Sequence, residues 1–116
     1  MEKLTKEEIL TKAAEISKAM GGAKVHPFVF EENEDDGQVI GFLREPNLQT
    51  KLRALDSMGV DNLFSTGANL LESLLIKEYS DERITSGRSE YDSYYMGAAT
   101  EALSLIKAAQ NQLKKK

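Results

Sequence analysis

Cysteine is absent from this chain and histidine occurs once, at His26. Without thiols there is no disulfide framework, no cysteine nucleophile and no Cys-based zinc site, a composition that fits a reducing compartment. Long apolar runs are missing too. The longest cluster, Leu70 to Ile76, is interrupted by Glu72 and Ser73, far short of the ~20 apolar residues of a membrane span. Met1 to Leu10 alternates charge with isolated apolar residues and lacks the continuous apolar centre of a secretory signal. The expectation is a soluble, cytoplasmic protein with no membrane partner. Positive charge is scarce: 15 Lys and Arg stand against 19 Asp and Glu, a formal net charge of -4. Phosphate neutralisation needs clustered cations, so nucleic acid is not an expected partner. The one basic cluster, Lys114-Lys115-Lys116, reads as a solvated helix end favoured by the helix dipole.

What is present is an ordinary globular composition, 41% hydrophobic and 29% charged over 116 residues. That length suits a single domain, residues 1–116, and a chain of this size buries roughly two thirds of its unfolded surface. Thr5 and Glu8 have capping-box spacing and open a helix whose stripe is Ile9, Ala13, Ile16 and Met20, with Leu10 and Ala14 beside it. Gly21-Gly22 ends it. Lys24 to Glu31 and Gln38 to Arg44 are rich in β-formers and flank a polar segment ending in Asp36-Gly37, which predicts an antiparallel hairpin with Pro27 on an edge or outside the pairing.

Pro46 stops the second strand. Leu48, Leu52 and Leu55 recur at i, i+4 and i+7 and so predict a helix over Asn47 to Met58, broken by Gly59. Asp61 can cap a helix running to about Tyr79 with Leu63, Gly67, Leu70, Leu71, Leu74 and Leu75 inside. Gly67 on that stripe permits close packing at a cost of ~1 kcal/mol relative to alanine. Ile84 is the one apolar residue of a polar connection and is expected to plug the core. Ser89 can cap a last helix with Tyr91, Tyr95, Ala98, Ala102, Leu105 or Ile106, Ala109 and Leu113 inward. The order αββααα predicts an α+β domain with helices gathered on a two-stranded sheet.

Catalysis needs several groups placed together, and the chain has few to place. His26 is alone, and no serine occupies a G-x-S-x-G elbow. Five carboxylates lie in Glu31 to Asp36. With Gly37 set as the sixth position of an EF-hand loop, the twelfth is Leu43 where a bidentate Glu is required, so a solvated hairpin tip is the expected role. No phosphate-binding glycine loop occurs. We therefore expect no catalytic residues, no metal, no cofactor and no enzyme activity. Surface remains. On a sheet covered on one side some of the aromatic residues must face outward, which makes Phe28, Phe30 and Phe42 candidate partner contacts, with Arg44 as a rim charge. The alternative is that the rings all enter the core or a homodimer interface.

The run Gly41-Phe42-Leu43-Arg44-Glu45-Pro46-Asn47, a strand entering Leu-Arg-x-Pro and then a helix, resembles the middle of the tail assembly chaperones of tailed bacteriophages. Leu70 to Ile76, Ser80 to Ile84 and a final helix ending in lysines fit the same pattern, over roughly residues 38 to 116. The resemblance implies a cytoplasmic factor in a bacterial host that binds helical segments of the tape-measure protein while the tail tube polymerises. An acidic protein offering an apolar groove could shield such helices. Two other classes stand beside it: a minor structural protein of the virion tail or head, and a small acidic domain responding to a metal or ligand through Glu31 to Asp36.

Overall fold

The computed structural model describes residues 4–31, 35–57 and 63–114, with side chains up to 107. Gly59, Asp61, the hairpin tip at 32–34 and Lys115-Lys116 lie outside the described residues, as do the side chains of Ala109 and Leu113. Helix α1, Lys6–Ala19, begins on the expected capping box: Glu8 N donates to Thr5 Oγ1 at 3.1 Å and Thr5 N to Glu8 Oε1 at 2.9 Å. It ends in a Schellman turn, with Gly22 N donating to Ser17 O at 2.8 Å and Gly21 at φ 77°, a conformation that glycine takes without penalty.

Strands β1, Val25–Phe30, and β2, Val39–Arg44, pair antiparallel with Pro27 opposite Phe42. Ile76 N donates to Phe42 O at 2.9 Å, and Phe42 N donates to Ser80 Oγ at 3.0 Å. The backbone of Phe42 therefore points away from β1. Pro27 sits at a non-hydrogen-bonded pair, its ring turned to the outer edge, so its missing N–H costs no ladder bond and discourages a further strand there.

Helices α2, Leu48–Ser57, α3, Leu63–Leu74, and α4, Asp92–Lys114, follow, with 3-10 turns at Glu82–Thr85 and Ser89–Tyr91 before α4. The α+β arrangement is the expected one. Several details differ. The segment after α3 leaves the helix at Leu74 rather than Tyr79 because β2 captures it: Leu75 bridges Leu43, and Asp81 N donates to Ile40 O at 2.9 Å. The chain thus lies along β2 where a third strand would stand.

The sheet is also covered on both faces, not one. Ala13 and Ile16 of α1 pack with Phe42 and Ile76, joined by Val25 and Ile40. On the other face Phe28, Val39 and Leu43 pack with Leu70, Leu71 and Leu74 of α3 and with Tyr94, Ala98, Ala102 and Ile106 of α4. A narrow two-stranded sheet presents one row to α1, which leaves Leu10 and Ala14 exposed. The buried line of α4 passes through Tyr94 rather than Tyr95, and Ser89 belongs to the preceding turn rather than to a cap on α4. Ile84 is buried as expected. Gly67 does permit close helix packing: a methyl group there would lie 3.0 Å from Leu103 Cδ1 and 3.2 Å from Ala99 O.

Candidate functional site

The three rings expected to face a partner are instead part of the packing. Phe28 is 7% exposed and Phe42 3%. The ring of Phe28 fills the space that a side chain on Gly41 would occupy, and Phe30 lies against Gly97 of α4, where a methyl carbon would come within 2.8 Å of the ring. Phe30 also stacks on Tyr94, centroids 5.9 Å apart. The physical reason is the second covering layer: α1 lies on one face and α3 and α4 on the other, so the rings of both rows are packed, while Val29 at 38% and Arg44 at the strand end stay exposed. Phe42 floors a depression of ≈ 260 Å³ edged by the charged Lys12 and Glu15 and by Tyr79. Arg44 is exposed at the end of β2.

The polar groups of the hairpin are engaged in holding it. Arg83 donates through Nη1 to Asp36 O at 2.8 Å and through Nη2 to Asp81 Oδ2 at 2.7 Å. Its side-chain hydrogen bond, against some burial, holds the Asp81 carboxyl below the usual carboxylate range. Tyr94 OH donates to Asp36 Oδ2 at 2.7 Å. Gln38 clamps the entry to α1, accepting from Leu4 N at 2.8 Å and donating to Leu4 O at 2.9 Å. His26 Nε2 is hydrogen-bonded to the Glu45 carboxylate, and Lys51 stands 3.7 Å from it. Burial pushes that carboxyl up, but His26 and then Lys51 and Lys24 outweigh it and leave it low. Among the described residues no three His, Asp or Glu side chains come together as metal ligands. No helix among them is long and apolar enough to cross a membrane.

The unusual surface lies elsewhere. Phe64 is 78% exposed and Met96 58%. They wall a groove of ≈ 250 Å³ between α3 and α4, floored by Ala68, Ala99 and Leu103 and completed by Tyr95 and Thr100. At one end Tyr95 OH donates to Glu72 Oε1 at 3.3 Å, and desolvation, then the Glu72 carboxylate, raises the Tyr95 hydroxyl. Large apolar residues this open are a binding feature when they border a concave apolar floor. Helix α2 adds to the open apolar area. Thr50, Arg53, Ala54 and Ser57 face α3 across a cleft of ≈ 110 Å³. This turns Leu48 and Leu52, 71% and 53% exposed, away from it. The helix expected from Leu48, Leu52 and Leu55 is present, but Ala54 is its buried residue and Leu55 is half-buried.

Sequence reasoning missed the groove because it followed the buried stripes. The available signal was two large apolar residues one position off those stripes, Phe64 beside Leu63 and Met96 beside Tyr95. Compared with known protein families, with curated proteins and with solved structures, the chain matches none of them.

Proposed function

We propose that this chain is a non-enzymatic protein-binding factor, a tail assembly chaperone that holds helical segments of a phage tape-measure protein during tail morphogenesis. The observation that carries the reading is the apolar α3–α4 groove with Phe64 and Met96 standing open on its walls. An extended helix with an apolar stripe aggregates until the tail tube encloses it, and a groove between two helices covers such a stripe by helix-in-groove packing. The passage from β2 across buried Pro46 into α2 supports the reading, since that strand-to-helix step carries the resemblance in sequence.

The test is co-expression with overlapping tape-measure fragments, followed by affinity capture. A helical fragment should become soluble and co-purify with the native chain but not with Met96→Glu. Fragments that stay insoluble, or that bind both chains equally, would contradict the proposal.

A further inference from the structure

The α3–α4 groove changes character along its length, and this restricts what it takes. At ≈ 250 Å³ it is smaller than the about 300–1,000 Å³ of a small-molecule pocket, so it suits one or two anchoring side chains of a helix laid across it. One end is acidic. Glu72 follows Ala68 by one helical turn and meets the Tyr95 hydroxyl, and Asp92 precedes Met96 by one turn on the same side of α4. At the opposite end Lys107 follows Leu103 by one turn. Lys77 stands 3.5 Å from Glu72, both more than half exposed, a pairing that an incoming cation replaces at little cost.

We infer that the groove takes an amphipathic helix carrying lysine or arginine one turn beyond its apolar stripe, at the end that lies over Glu72 and Asp92. This rests on the groove being the docking surface. Charge selects such a helix over a second copy of this chain. Another exposed apolar helix face of the chain is that of α2, with Leu48 and Leu52, and its Lys51 is already paired, 3.7 Å from Glu45.

The probe is a pair of labelled peptides of about 18 residues, long enough to hold a helix, with one leucine–alanine stripe. Two lysines stand beyond the stripe in one peptide and two glutamates in the other. Titrated against the full chain and followed by fluorescence anisotropy, the lysine peptide should bind about tenfold tighter at low salt. The preference should vanish in the Glu72→Gln, Asp92→Asn double variant, which keeps a good first residue on α4. Met96→Glu, with its fold checked by circular dichroism, should stop both peptides from binding. Equal binding of the two peptides, lost in Met96→Glu, would overturn the charge rule and leave the groove standing. Binding of neither would overturn the groove as well. A dimer on size exclusion that Met96→Glu dissociates would show a second copy as the occupant and count against the inference.

Discussion

Phe28, Phe30 and Phe42 lie inside the two covered faces of the hairpin, whereas Phe64 and Met96 stand open on the outer side of α3 and α4. Both regions spend large apolar side chains, but with opposite effect. Around the sheet the rings fill space that glycine leaves at Gly41 and Gly97, so their burial holds the layers together. On α3 and α4 the corresponding side chains touch little of their own chain and stand in water. A large aromatic residue is therefore no guide to an interface until the layer that covers it is known.

The sharpest way to break this contrast is to truncate the rings. Phe28→Ala and Phe42→Ala should each destabilise the fold by about 3–5 kcal/mol, since both the apolar transfer and a cavity contribute. A loss below 1 kcal/mol in urea unfolding would mean that the rings are not buried as described. Next in size is Gly41→Ala, whose methyl group would enter the Phe28 ring position. Overpacking of that kind should cost about 1–3 kcal/mol, and the Phe28→Leu background should relieve part of it, which a double-mutant cycle would measure.

Smaller again is the Arg83 clamp. Arg83→Met removes the guanidinium donors to the Asp81 carboxylate and the Asp36 carbonyl, leaving the backbone N–H of residue 83 on Asp81 Oδ1, and should cost about 1–2 kcal/mol at neutral pH. Its pH dependence has a definite sign. The folded-state value of Asp81 is depressed, so its contribution is present above the ordinary aspartate value of about 4 and is lost as pH falls through the depressed one. Asp81→Asn should flatten the acid limb of stability; an unchanged slope below about pH 4 would contradict the clamp. The smallest expected effects are Phe64→Ser and Met96→Ser, each within about 0.5 kcal/mol of the native stability because neither side chain is buried. A large loss would show that the groove walls are structural.

Much of the fold was legible from local chemistry. The Thr5–Glu8 capping box, the Gly21-Gly22 stop, the Asp36-Gly37 turn and the tolerance of Pro27 all follow from short-range rules that tertiary packing did not override. What local rules could not foresee was which face each apolar stripe would meet. The period of Leu48, Leu52 and Leu55 is helical, but α2 turns its hydroxyls and Ala54 to α3, and no spacing rule states that. The same gap explains the early end of α3, where the free edge of β2 draws Leu75 and Ile76 into backbone pairing. It also explains the inward ring of Phe42, which depends on α1 returning over the second sheet face. The groove combines residues from two helices about 30 positions apart, so its walls become visible only once Gly67 lets α3 and α4 approach.

The most direct measurement is a titration of methyl-labelled protein with a tape-measure helical fragment, followed by NMR. The account predicts shifts in the methyl signals of Ala68, Met96, Ala99 and Leu103, with Ile16 and Ile40 beside the sheet unmoved. Shifts confined to Ile16 and Ile40, around the depression floored by Phe42, would contradict it.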